Sequence, residues 1–342
     1  MLSVTPPYIL NIFLKHPRRG KSSVEQFSPH KRSTVWGFRI AILCFFVLSS
    51  VSMAQAQNVE FIADWHPGDV FTYNVTKIVQ KDKQIDSLNY TMVMTVIDST
   101  EEKYTIKMVY DGMYNNPILD SLLDGRISQK DYETLQTVYY STNNVGEIIE
   151  IDNADTLIKS IIKYSDALVT AVDNDDAGEV MNLLTSLYTK EYLLSGVYKE
   201  IALIHNALGY SYPINKPVKG KVKVENTLSG GYFDAKTFFT IEEFNPENQY
   251  CRFRMTTEYN EKQLGKAVTD LLVSMGMSKS EIKEMKGCRL TMVDEESYEY
   301  LAYPGILLHA DSSRGTMFHS SAESSGKIER YIITLVEPEM EK

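Results

Sequence analysis

One stretch of this chain occurs twice, and a duplicated stretch restricts the possible folds more than any local pattern does. Tyr139-Tyr-Ser-Thr-Asn-Asn-Val-Gly146-Glu-Ile-Ile-Glu-Ile-Asp152 matches Tyr298-Glu-Tyr-Leu-Ala-Tyr-Pro-Gly305-Ile-Leu-Leu-His-Ala-Asp311 without a gap in its Tyr, Gly, apolar pair and Asp. Upstream, Leu122-Leu-Asp-Gly-Arg-Ile-Ser128-Gln-Lys-Asp131 is echoed by Leu271-Leu-Val-Ser-Met-Gly-Met-Ser278-Lys-Ser-Glu281, one residue longer. Further upstream, Thr95-Val-Ile-Asp to Tyr104 is echoed by Thr240-Ile-Glu-Glu to Tyr250, again one residue longer. Three matches in one order predict a copied unit of hairpin, short helices, strand, glycine turn and strand.

The local patterns agree with a sheet built from such units. Pro67-Gly68-Asp69 is turn chemistry, and Phe71, Tyr73 and Val75 alternate after it as on a half-buried strand. Strands are expected around 88–98, 102–111, 138–142, 147–151, 218–227, 235–244, 249–257, 298–302, 306–310 and 330–336. Ser128, three residues before Asp131, offers an acceptor to a helix start. Between the copies, Leu157, Ile158, Ile161, Ile162, Leu168 and Val169 recur at helical spacing, as do 180–187 and 193–204, so three amphipathic helices are expected. The fold class read from this is α+β: an antiparallel, curved sheet of two related units with a central helical segment packed on it. The organisation is 1–56 as an extension and signal peptide, 57–152 as the first unit, 153–208 as the helical segment and 209–342 as the second unit.

Arg32, Arg39, the apolar run Ile40 to Leu48 and Ala54-Gln-Ala56 have the order of a secretory signal cut near Ala56. The run is short for a bilayer span, which needs about 20 residues, and no other stretch of the mature chain reads as one. A periplasmic or secreted location is therefore expected. Residues 1–56 hold seven of the 35 Lys and Arg and one of the 45 Asp and Glu, so their removal takes the formal net charge from −10 to −16. Such a charge repels phosphate backbones, and no nucleic-acid partner is expected.

The reaction motifs that sequence can reveal are missing. His66, His205, His309 and His319 form no metal-binding spacing, no nucleophile elbow or phosphate loop is present, and no cofactor is indicated. Asp173-Asn-Asp-Asp-Ala-Gly178 lacks the ligands of a calcium loop and reads as an acidic helix cap. The acidic pairs Glu242-Glu243 and Glu295-Glu296 read as solvated strand ends. Cys251 and Cys288 remain after cleavage, and both a disulfide and buried thiols are compatible with export. Twenty-two Tyr, 13 Phe and 2 Trp are the most informative supply. On strands, tyrosines either line a groove or pack beneath helices. Trp65, Tyr139, Tyr298 and Tyr300 are the residues expected to meet a ligand in the first case.

The signal, the Pro67-Gly68-Asp69-Val-Phe-Thr-Tyr73 strand opening and the glycine-turn strand pairs at Gly146 and Gly305 resemble exported β-rich proteins of unknown function from Gram-negative bacteria. More loosely, the order of elements is similar to periplasmic lipid and lipoprotein carriers with a curved sheet covered by helices. The Tyr-rich strands, the helical cover and the missing catalytic signatures point to a non-catalytic periplasmic binding or carrier protein for a hydrophobic or amphipathic ligand. An envelope protein–protein interaction or scaffold module, with an envelope protein as partner, is the second reading. An uncharacterised hydrolase, requiring His66 or His309 beside a carboxylate in a pocket, is the third.

Overall fold

The computed structural model describes residues 58–113, 125–171, 181, 185, 188–225, 232–274, 277–278, 289–319 and 324–336. The predicted signal, Cys288, the acidic stretch 173–178 and most of the middle helix predicted over 180–187 lie outside the described residues.

Eleven strands form one open antiparallel sheet in the lateral order β6-β5-β4-β3-β2-β13-β12-β11-β10-β9-β8. The first run comprises β2 (Val70–Lys81), β3 (Gln84–Ser99), β4 (Lys103–Asp111), β5 (Thr137–Asn143) and β6 (Ile148–Ile151). The second comprises β8 (Val218–Glu225), β9 (Tyr232–Asn245), β10 (Tyr250–Tyr259), β11 (Arg289–Leu301) and β12 (Ile306–His319). Both runs step across the sheet in the same direction, and β13 (Ser324–Leu335) joins β12 to β2. β1 (Asn58–Glu60) and β7 (Ser211–Pro213) form a separate two-stranded pair. The antiparallel α+β expectation is met.

Helix α1 (Gln129–Leu135) separates β4 from β5, and α4 (Glu261–Ser274) separates β10 from β11. The Ser128 cap is present: its Oγ accepts from the Asp131 N–H at 3.1 Å, satisfying a donor that the first turn leaves unpaired. Asp131 is held in turn by Lys163 at 2.8 Å from α2 (Ala154–Ala171). The last predicted helix is broken. A helical turn at Lys190–Tyr192 runs into a π-helical turn, Leu193–Val197, before α3 (Lys199–Ile204) begins. Gly196 fits under Tyr192 at this break, since a Cβ there would lie 2.5 Å from the ring.

One face of the sheet carries the main core. Tyr73, Val75, Met92, Met94, Ile106, Met108, Tyr140, Phe253, Tyr298, Tyr300 and Ile333 all point to it and are buried. The segment from Val59 to Trp65 lies across them as an internal strap. Phe61 N–H donates to Tyr210 O at 3.0 Å, Ile62 to Ala302 at 3.0 Å, Ala63 to Val145 at 3.2 Å and Asp64 to Pro304 at 3.1 Å. The strap thus runs between the two glycine turns. Gly146 (φ +95°) and Gly305 (φ +78°) adopt backbone that favours glycine, and both leave room for the strap at Ala63.

The gap-free alignment of these two turns does not hold at the level of the pleat. Tyr139 would match Tyr298, yet Tyr139 faces outward and is 36% exposed while Tyr298 is fully buried. Tyr140 is the inward residue of β5. Register shifts at Ser141/Thr142 and at Glu299/Tyr300 interrupt the two ladders at different distances from the turns. With a side-chain period of two, an offset of one residue exchanges the faces.

Candidate functional site

Along the inward face, the side chains change character from one end of the strands to the other. On β11 the inward series is Tyr300, Tyr298, Glu296, Asp294, so two aromatics give way to two carboxylates, all buried. The neighbouring strands change at the same level. Asp294 lies directly opposite Arg314 of β12, and Arg314 directly opposite Glu329 of β13. One step closer to the aromatic end, Glu296 faces Ser312, Ser312 faces Tyr331, and Tyr331 faces Lys77 of β2. These cross-strand neighbours form two adjacent rows of charged and hydroxyl groups.

Each carboxylate in the rows has donors. Arg314 Nε donates to Asp294 Oδ1 at 2.7 Å and Nη2 to Oδ2 at 3.4 Å, while Tyr259 Oη donates to Oδ2 at 2.7 Å. Glu296 accepts from Ser312 Oγ at 3.1 Å and from Tyr298 Oη at 3.0 Å, and Asn206 Nδ2 donates to Tyr298 Oη at 2.9 Å. Glu329 accepts from Tyr331 Oη at 3.0 Å and lies 3.4 Å from Lys77 Nζ and 3.6 Å from Lys327 Nζ. Helix α3 adds one charge of each sign. Glu200 accepts from Tyr90 Oη, and Lys199 Nζ sits 4.8 Å from the centre of the Tyr331 ring.

Burial costs a charged group its hydration, so it drives these groups toward neutrality. It pushes the Asp294 carboxyl up to about 7, against the pull of Arg314. It also raises Glu296 and Glu200, with Lys199 opposing in both cases, and lowers Lys199 to about 8. Burial disfavours the Arg314 charge most, but Asp294, Tyr259 and Glu329 together outweigh it, so Arg314 moves upward. Acids displaced upward and an ammonium displaced downward stand together, an arrangement suited to exchanging protons near neutrality.

Beside the rows is a half-open cleft of about 180 Å³. Its apolar wall includes Ile149 of the edge strand β6, Leu194 of the π-helical turn and Met255 of β10. Lys199, Asn206 and Glu296 provide polar lining, so the cleft borders the ionic rows directly. Its volume is close to that of cavities which hold one benzene-sized molecule, and below the roughly 300–1,000 Å³ of drug-sized sites.

The aromatic residues singled out by sequence lie elsewhere. Trp65 is buried, its ring 5.3 Å from Tyr104 and 5.7 Å from His205. Tyr298 and Tyr300 stack on Phe253 with centroids 4.9 and 5.8 Å away, and Tyr300 Oη donates to the carbonyls of Leu203 and Ile204. Tyr139 is on the opposite face. The structure therefore brings Tyr298 and Tyr300 together, keeps Trp65 with His205, and separates Tyr139 from all three. Of these four, Tyr298 is the one hydrogen-bonded to the ionic rows, through Glu296. Cys251 is buried among the aromatics, where burial raises its thiol to about 12.

His205 is held on both sides. Its Nδ1–H donates to Gly146 O at 2.8 Å, its Nε2 is paired with Tyr140 Oη at 2.9 Å, and burial favours the neutral ring. His66 is an exposed turn residue 3.9 Å from Asp69, and His309 is half-buried beside Thr334. Glu295 and Glu296 correct the reading of a solvated pair: Glu295 is exposed, but Glu296 is buried in the rows. The groups that sequence passed over are Asp294, Arg314, Glu329, Lys77, Lys199 and Glu200. Their one legible signal is that Asp294 and Glu296 share the parity of Tyr298 and Tyr300.

No protein family matches this chain, and no curated protein is significantly similar to it.

Proposed function

We propose that this chain is a non-catalytic, exported binding protein, and that the ligand it takes is small and amphipathic. The observation that carries this reading is the cleft beside the ionic rows. An apolar wall of Ile149, Leu194 and Met255 meets a polar end of Lys199, Asn206 and Glu296. A site that is mostly apolar with a few convergent polar groups is the usual form of a small-molecule site. The volume favours a short acyl chain or a molecule of amino-acid size over a long-chain lipid. The Tyr-rich layer under the strap is occupied by Phe61 and its ring neighbours, so the ligand's place is the cleft. The export signal read from the sequence and the likeness to periplasmic carriers belong to the same reading.

Its test is occupancy of the cleft. Hexanoate, octanoate and decanoate titrated into the protein, followed by ligand-observed NMR, should show saturable binding. Ala202→Trp places a large side chain from α3 into the cleft from a half-buried position and should abolish it while the far-UV spectrum stays unchanged. Absence of binding across the series, or equal binding to the filled variant, would sink the reading.

The architecture attached to this reading is a duplicated unit with a shared helical cover. Its support is the strand order, in which β2 to β6 and β8 to β12 repeat one lateral sequence with a helix after the third strand of each. A superposition of β3–β6 on β9–β12 that leaves Gly146 away from Gly305 would refute the common origin.

A further inference from the structure

Among the described residues, both edges of the open sheet are unpaired, and they differ in charge. At one edge, the acidic Glu147, Glu150 and Asp152 flank or belong to β6. At the other, β8 presents Lys219, Lys221 and Lys223 on the outward face, all exposed, with Val222 and Val224 buried on the inward face. Lys236 of β9 lies directly opposite Lys221 and adds a fourth ammonium. Among the described residues, no ion pair involves any of these lysines. On a chain with 45 acidic and 35 basic side chains, this edge is a local exception.

Lysines on an edge strand ordinarily discourage pairing, because a second identical edge brings like charges together. The same lysines admit a strand of opposite charge. The chain contains one with a fitting period: Glu337-Pro338-Glu339-Met340-Glu341 alternates carboxylates with apolar residues, as Lys219, Lys221 and Lys223 alternate with Gly220 and Val222. In a strand of this sequence, three carboxylates fall on one face and Pro338 and Met340 on the other. Proline is tolerated in an edge strand when its missing N–H side faces away from the ladder.

We propose that residues 337–342 of one copy add as a strand to the β8 edge of a second copy. Glu337, Glu339 and Glu341 then lie among Lys219, Lys221 and Lys223. Met340 lies on the face of Val222 and Val224, extending the small core that α4 covers with Leu264 and Ala267. The donor is another molecule because of reach. Val336, the last residue before this segment, is anchored by its N–H to Thr72 O at 2.8 Å beside β2. β13 is five strand positions from β8 in the sheet, or about 24 Å at roughly 4.8 Å per strand. Six residues span at most about 20–22 Å, which is too short to arrive and then lie along the edge.

Sedimentation velocity over a concentration series tests this, using the wild type, a chain ending at Val336, K219E/K221E/K223E, E337K/E339K/E341K and the two triples combined. The wild type should self-associate, the shortened chain and each single triple should not, and the combined charge exchange should restore association. A labelled peptide of residues 336–342 should bind the shortened chain and lose at least about tenfold in affinity to K219E/K221E/K223E, from three opposite-charge pairs of a few tenths to one kcal/mol each. A wild type that stays monomeric overturns the proposal. So does association that survives the truncation, or a combined variant, folded by circular dichroism, that fails to recover. Association lost with the lysines but kept without the tail assigns the edge to a different acidic segment and also overturns it.

Discussion

The two ends of the inward sheet face solve the same problem by different means. At the strap end, Phe61 is enclosed edge-on by Tyr212, Phe253 and Tyr300 at 5.5–6.1 Å, and the tyrosine hydroxyls reach backbone or a neutral histidine. At the other end, equally inaccessible positions hold Asp294, Glu296, Arg314 and Glu329. Aromatic burial stabilises through area removed from water, and each contact is worth something by itself. Buried charges gain only as sets, because every partner offsets another's lost hydration. The aromatic end therefore acts as the rigid support, and the ionic end is where protonation or a ligand can alter the balance.

Truncations at the two ends should show the largest effects and should separate them. Phe61→Ala should destabilise by about 3–5 kcal/mol at any pH, as a large cavity with no compensating change. Arg314→Met should cost about 3–5 kcal/mol at pH 8, by leaving Asp294 buried without its cation. Since the folded protein already holds the Asp294 carboxyl well above its ordinary value, it takes up a proton more readily than the unfolded chain. Stability of this variant should therefore recover as the pH falls toward 5. Asp294→Leu combined with Arg314→Met should regain most of the loss. Urea denaturation at both pH values decides this, and a pH-independent Arg314→Met would erase the distinction between the two ends.

The second effect sharpens the comparison within the aromatic end. Burial lowers His205 to about 4, with the Gly146 carbonyl acting the other way, against an ordinary value of 6.5. The unfolded chain then binds the proton first. Stability should fall as pH drops from about 6.5 to 4, by up to about 3 kcal/mol, and level off below. His205→Gln should flatten that segment of the curve. If it does not, the acid sensitivity originates in a group other than His205, and not in the raised carboxyls of the ionic rows, which favour the folded state as pH falls.

The smallest effects concern the strap. A Cβ on Gly305 would lie 2.8 Å from Ala63 Cα and Ile62 O, which are backbone, whereas on Gly146 its closest neighbour is the Leu208 side chain at 2.7 Å. Both positions have positive φ, so either alanine costs about 1 kcal/mol in conformation alone. Gly305→Ala should cost about another 1 kcal/mol because the strap cannot rotate away. Equal thermal denaturation midpoints for the two variants would mean that the strap yields.

Where hydrophobic alternation was intact, the fold was legible. The strand read at 138–142 lies inside β5, the one read at 249–257 matches β10 except for Gln249 and the last two residues, and the Ser128 cap is where its spacing put it. The strands read as 298–302 and 306–310 are in fact thirteen and fourteen residues long. Apolar alternation marks only their turn-proximal ends, because Asp294, Glu296, Ser312 and Arg314 hold inward positions with the polarity expected of outward ones. The same charges hid the candidate site, since a carboxylate at an inward position has no mark in one sequence until its cation arrives from another strand. Asp294 and Arg314 are 20 residues apart, and Lys77 and Glu329 come from opposite ends of the described chain.

By itself, the sequence determined what short-range physics can determine. Turn residues, alternation and spacing specified antiparallel strands, helices and two glycine turns, because each depends on residues within a few positions of one another. The tertiary structure decided which face each tyrosine takes, since one-residue register shifts act only once strands pair. It also decided that Val59–Trp65 fills the layer beneath the sheet's helices, and that charges distant in sequence are buried together. Those outcomes depend on contacts closed by the whole chain, where the desolvation of one group is offset only by another that folding brings beside it.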